Sequence, residues 1–275
     1  MRSEISAFLE EVDDLASLLS TLPDAAWSHK TQFKNWTIND VVLHLFATDQ
    51  LGRLVLASPN EYAGLRAGIR ERRQSGLSMI EETQERIKGL RGRRLLEDWQ
   101  EQARTLAQLL DQRDPKSRVE WSGPSMSART FATARQMETW AHGSEIYDCL
   151  TLKRTEHDRI RNIVELGVRT FGFSFQNRGL DLPGSLPEVE LQAPSGQTWR
   201  WGSAADSESI RGQAVDFCAV VTQTRNVQDT ALEVKGTVAR SWMAIAQCFA
   251  GAPVSPPESG SRHPASTNPF ENIVP

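Results

Sequence analysis

The chain has 275 residues, enough for one large domain or two modest ones. Apolar residues make up 39% and charged residues 24%, the ordinary balance of a soluble globular chain. Thirty-one Lys plus Arg against 35 Asp plus Glu leave a net charge of −4, without the basic excess of a general nucleic-acid binder, and no apolar run approaches the ~18 residues that span a bilayer.

The N-terminus, MRSEISAFLEEVDD, turns acidic at once and has no apolar signal core, so a cytoplasmic location is expected. Ile5, Phe8, Leu9, Val12, Leu15, Leu18, Leu19 and Leu22 recur at three and four, which predicts a first helix stopped by Pro23. A second helix opens after Trp36-Thr37, where Thr37 and Asp40 have the spacing of a capping box, and runs to about Ser58 before Pro59. Residues 61–90 are charge-rich helix formers with a break near Ser75-Gly76. Their arginines, from Arg66 to Arg73, interleave with acids and predict a solvated helix face. A further helix covers about 93–112, with Leu95, Leu96, Trp99, Ala103, Leu106 and Leu110 on one face. Trp121 to Ser125 is a loop, and a fourth long helix covers 127–150. Four long helices with apolar stripes predict a four-helix bundle.

After residue 150 the pattern changes. A helix is expected over 156–175, strands at 189–191 and 199–201, a helix over 212–223, a strand at 232–234 and a closing helix over 236–250. The fold class is therefore α+β: a helical bundle over 1–152, a small α+β domain over 153–252 and a Pro/Ser-rich tail over 253–275. Cys149, Cys218 and Cys248 are odd in number and widely spaced, so they are expected to be buried small hydrophobes.

Of five histidines, two fall where a bundle core should be. Val41, His44, Thr48, Leu51 and Val55 follow a 3,4,3,4 spacing that turns His44 inward on the second helix. On the fourth helix Phe131, Glu138, His142, Glu145 and Cys149 share a stripe, with Glu138 and His142 one turn apart. A carboxylate and an imidazole so placed can grip one cation, and a third ligand from a facing helix completes an open three-legged site. The same pair also fits a solvated or hydrogen-bonded couple. Glu145, a turn past His142, is a candidate general base or outer partner of the imidazole, or a charge at the bundle mouth. Asp40 is assigned to capping, Asp49 to the surface, and Trp36, Trp140, Trp199 and Trp201 to the core. His29, His157 and His263 are expected to be exposed.

The segments Trp36-Thr-Ile-Asn-Asp-Val-Val-Leu-His-Leu45 and Arg135-Gln-Met-Glu-Thr-Trp-Ala-His142 resemble the DinB-like metal-binding bundle of the mycothiol-dependent maleylpyruvate isomerase superfamily. The segments 168–179, 194–202 and 216–225 are similar to the C-terminal domain of one actinobacterial-type branch. The resemblance covers about 1–252 and implies a metal held by His44, Glu138 and His142. Zinc comes first, and nickel, iron and manganese also suit the ligands. It also implies an Arg of the C-terminal domain that orients an anionic group, for which Arg225 is the candidate and Arg178 the weaker rival. A surface role at a helix end is the alternative for Arg225.

The implied activity is a metal-dependent isomerase or thiol transferase. It would act on a small unsaturated or electrophilic carbonyl compound, with a low-molecular-weight thiol such as mycothiol as co-reactant. A thiol-independent Lewis-acid cyclase, lyase or hydrolase of natural-product (secondary) metabolism is the second reading. A non-catalytic metal-binding protein is the third. The expected partner is a small molecule, with no nucleic acid and no membrane, on a monomer or homodimer.

Overall fold

A computed structural model describes residues 1–121, 123–203 and 207–265; Ser122 of the expected loop and residues 266–275 of the expected tail lie outside the described residues. The described residues divide into two compact units, Met1–Thr151 with Ala265, and Leu152–Pro264.

The first unit is helical. Its elements are α1 (Arg2–Ser20), α2 (Ile38–Ala57), α3 (Pro59–Gln74), α4 (Met79–Arg86), α5 (Gly92–Asp111), a hairpin of β1 (Arg118–Val119) and β2 (Met126–Ser127), and α6 (Ala128–Cys149). α2 lies along α5, α1 packs on α5 and α6, and α2 meets α6, which makes a four-helix bundle. The stripes expected on α1 and α5 are buried: Phe8, Val12, Leu15 and Leu19 on one, Leu95, Trp99, Leu106 and Leu110 on the other. Each fully buried aliphatic or aromatic side chain of this kind contributes about 1.5–3 kcal/mol. α3 buries no residue, as its charge predicts, and together with α4 it rests on α2. Arg72 and Arg86 both donate to the buried Glu82, which ties α3 to α4.

α2 and α6 are different. Their buried faces carry polar groups: Asp40, His44 and Asp49 on α2, and Arg135, Gln136, Thr139, Glu145 and Asp148 on α6. The caps set the phase of both helices. The Thr37 side chain accepts from the Asp40 N–H, and the Asp40 carboxylate accepts from the Thr37 N–H at 2.9 Å, so the capping box is present. The Ser127 hydroxyl accepts from the Thr130 N–H at the start of α6.

The second unit is α+β. It contains α7 (Arg161–Arg169), α8 (Phe171–Gln176), β3 (Glu188–Gln192), β4 (Thr198–Trp201), β5 (Ser209–Gln213), α9 (Ala214–Val221), β6 (Glu233–Lys235) and α10 (Thr237–Met243). The sheet order is β4-β3-β5-β6, with β3 and β5 parallel and the outer pairs antiparallel. Three expectations are corrected here. The 156–175 helix breaks at Thr170, whose hydroxyl bonds to the Leu166 and Gly167 carbonyls, and only its middle and end are α7 and α8. The residues expected to open the 212–223 helix end β5, and α9 begins at Ala214. The closing helix stops at Met243 instead of Ala250.

Beyond α10 the chain to Pro264 belongs to this unit, and polar contacts hold it. Gln223 Nε2 donates to the Ala246 and Val254 carbonyls, Asn226 Nδ2 to the Pro257 carbonyl, and the Asp229 carboxylate accepts from Ser259 and Gly260. All three cysteines are buried and none is in a disulfide. No helix among the described residues is long and apolar enough to cross a membrane.

Candidate metal centre

His44 sits near the middle of the first half of α2, and Glu138 and His142 sit one turn apart on α6. The pairing of the two helices brings their side chains together. His44 Nε2 lies 3.5 Å and His142 Nε2 3.6 Å from Glu138 Oε2. The three ligand atoms all lie within 4.8 Å of one another. Donors bound tetrahedrally at zinc-like distances of ~2.0–2.1 Å are about 3.3 Å apart, and the two His–Glu138 separations are close to that. The side chains are mostly shielded, with 9%, 25% and 13% exposure for His44, Glu138 and His142.

The protonation states suit metal binding. Burial would push Glu138 up, but hydrogen bonds to His142 and His44, together with the positive charge of Arg135, hold it well below the usual carboxylate range. It is an anion at neutral pH. Burial pushes His44 down, against the pull of Glu138, so its imidazole is neutral at pH 7 with a lone pair to offer.

A loop between Trp27 and α2 walls the cluster with aromatic rings. The Trp36 ring is nearly parallel to His142 (11°, centroids 6.1 Å) and lies 5.4 Å from His44; Phe33 meets His142 edge-on at 5.1 Å. Backbone bonds from Thr31 N to the Trp36 carbonyl and from Ile38 N to the His29 carbonyl close the loop. Lys34 and Asn35 turn it in the left-handed region, at φ 52° and 57°.

A family model described as "Mycothiol maleylpyruvate isomerase N-terminal domain" matches residues 8–147, half of the chain and nearly all of the bundle. The chain belongs to this family. It is also 36% identical over 244 residues to "Uncharacterized protein Rv0036c" of Mycobacterium tuberculosis, covering 88% of this chain and 93% of that one. "Uncharacterized protein MT0041", from a second strain of that organism, matches to the same extent. Among solved structures the chain is similar to a mycothiol-dependent maleylpyruvate isomerase, at 13% identity and a TM-score of 0.49, over 80% of this chain and 87% of that one. A mutant of that isomerase matches at 14% identity with the same score.

In this member of the maleylpyruvate isomerase N-terminal domain family, the remaining candidates fall as follows. Glu145 is buried on α6 but is not in the cluster; it lies seven residues, about 10 Å of helix axis, beyond Glu138. Its charge helps raise the Cys149 thiol to about 12, after burial itself and Asp148. Arg225 belongs to the second unit, just past α9, where Nη1 donates to the Thr224 carbonyl at 2.9 Å. Arg178 donates to the Ser174 and Val254 carbonyls and to Gln247, which fastens the end of that unit. Trp36, Trp140 and Trp199 are buried as expected, while Trp201 is half-buried. His157 and His263 are exposed, but His29 is half-buried beside the closed loop.

Asp49 is the clearest correction. Expected at the surface, it is fully buried and paired with Arg135 at 2.8 Å. Its other oxygen accepts from Trp99 Nε1 at 3.0 Å. A buried carboxylate needs such partners: burial pushes the Asp49 pKa up, and Arg135 and Trp99 pull it only part of the way back. Phe33 was not singled out by its sequence position. The signal available was its place three residues before Trp36, ahead of the α2 cap.

Proposed function

We propose that this chain is an enzyme in which His44, Glu138 and His142 hold a divalent cation. Zinc fits first, with nickel, iron or manganese also compatible with the ligands. The activity is isomerase or thiol-transferase in type, on a small unsaturated or electrophilic carbonyl compound, with a low-molecular-weight thiol such as mycothiol as co-reactant. The supporting observation is the ion-sized spacing of two imidazoles and a carboxylate in a chain of the mycothiol maleylpyruvate isomerase family.

A bound divalent ion would supply Lewis acidity toward a carbonyl oxygen or a thiol. The chain's own residues prepare for it. Glu138 supplies a fixed negative charge, and neutral His44 supplies a lone pair without a competing proton. Three protein donors leave a coordination position for a small molecule. Phe33 and Trp36 keep water from one side of the imidazoles and offer a flat apolar wall to a conjugated substrate. In the isomerase reading a thiolate adds to the activated double bond, the resulting single bond rotates, and the same thiolate leaves. No atom is gained or lost.

The test is turnover of cis-configured unsaturated oxo acids by metal-loaded and chelator-treated protein, with and without thiol. The reading expects activity that needs both. Turnover that is undiminished without thiol moves the protein to thiol-independent Lewis-acid chemistry. Turnover undiminished by chelation overturns the metal role.

A further inference from the structure

Arg135 and Asp49 lie near the three donors, close enough for the Arg135 charge to act on both His44 and Glu138. Arg135 is one turn before Glu138 on α6, and is 2% exposed. Its Nε donates to Asp49 Oδ1 at 2.8 Å, and its Nη2 to Thr48 Oγ1 at 3.0 Å. Thr48 is one turn past His44, and its hydroxyl donates a hydrogen bond to the His44 carbonyl at 2.7 Å. Trp99 of α5 secures the second oxygen of Asp49. The cluster thus joins three helices one turn from the proposed ligands.

A guanidinium this deep needs an anion, because an uncompensated buried charge is strongly destabilising. Two carboxylates are at hand, Asp49 across the helix interface and Glu138 one turn along its own helix. Paired arginine and carboxylate make strong charge-assisted hydrogen bonds, so an Arg135 drawn to Glu138 would withdraw that carboxylate from a cation. Asp49 is the partner it has.

We infer that Asp49 is a positioning residue that holds Arg135 away from Glu138, leaving the Glu138 carboxylate to the cation shared with His44 and His142. The role rests on the metal centre proposed above. It differs from plain structural support in its sign. Loss of Asp49 releases a competing cation, whereas loss of Arg135 removes the competitor.

The experiment is chelator-competition measurement of Zn2+ affinity on the full chain, with the Co2+ absorption spectrum as a report on the ligand set. D49N preserves side-chain shape and is expected to weaken Zn2+ binding roughly tenfold or more and to alter the Co2+ bands. R135Q is expected to bind at least as tightly as wild type. The double variant D49N/R135Q is expected to regain most of what D49N loses. If D49N binds normally, or if R135Q weakens binding as much as D49N and the double variant recovers nothing, the role is overturned. Should D49N fail to fold, D49S takes its place: weakened Zn2+ binding that R135Q restores in the double variant supports the role, and normal binding or no recovery contradicts it. Wild-type protein that takes up no divalent ion would overturn the metal centre itself, an outcome distinct from any difference among the variants.

Discussion

His44, Glu138 and His142 converge from α2 and α6, with their ligand atoms within 4.8 Å of one another. A four-residue spacing puts Glu138 and His142 on one face, and the 3,4,3,4 run around His44 turns it inward. Asp49 was not legible in the sequence, because its burial depends on Arg135, 86 residues away on another helix, and on Trp99 of a third. Three predictions belong at this scale. In His142→Ala the α-helical circular dichroism should stay near wild type while bound metal is lost; retained metal would contradict the assignment. In metal-free protein, burial lowers His44 from the ordinary 6.5. Glu138, which burial would raise, is held well below 4.5 by His142 and His44. Groups with depressed folded pKa values give stability that is complete above their unfolded pKa and is withdrawn as the pH falls. Melting temperatures in chelator should therefore drop first below about pH 6.5, through His44, and again below about 4.5, through Glu138. His44→Gln should flatten the first limb, and parallel curves for variant and wild type would contradict the account. Cys149, buried and raised to about 12, should resist a thiol reagent at pH 8 until the protein unfolds; rapid native labelling of Cys149 would show that the thiol is accessible.

Among the elements, α1 and α5 were legible because their apolar stripes are clean and their faces simply divide core from solvent. α2 and α6 carry polar groups inward, which blurs that division; for α2 the Thr37 cap marks the start instead. β5 escaped because it is five residues long, holds one large apolar residue, Ile210, and runs straight into α9. The break at Thr170 escaped because the apolar spacing continues across it. Gly236 opens α10 at φ 96°, where a Cβ would collide with the Ser207 carbonyl and the Glu208 side chain. That carboxylate accepts from the Thr237 and Ala239 N–H groups and caps the helix. Gly236→Ala combines a left-handed backbone with this clash and should cost about 3 kcal/mol or more in denaturant unfolding. A loss below ~1 kcal/mol would mean the cap can rearrange.

Across the whole molecule, the proposed chemistry gathers in the bundle. The family model ends at residue 147, and the proposed ligands lie inside its match. The second unit was legible as α+β from its short apolar runs and its Gly and Pro punctuation. Its last stretch to Pro264 was not, because side-chain amides and Asp229 hold it in place of an apolar pattern. The central claim is that two helices of this bundle present one ion-sized set of donors. Metal content of the purified full chain after loading and desalting tests it most directly, beside a His44→Ala, Glu138→Gln double variant. The account predicts about one divalent ion per wild-type chain and almost none in the folded variant. A wild-type chain that retains no ion, or a variant that retains as much, would contradict it.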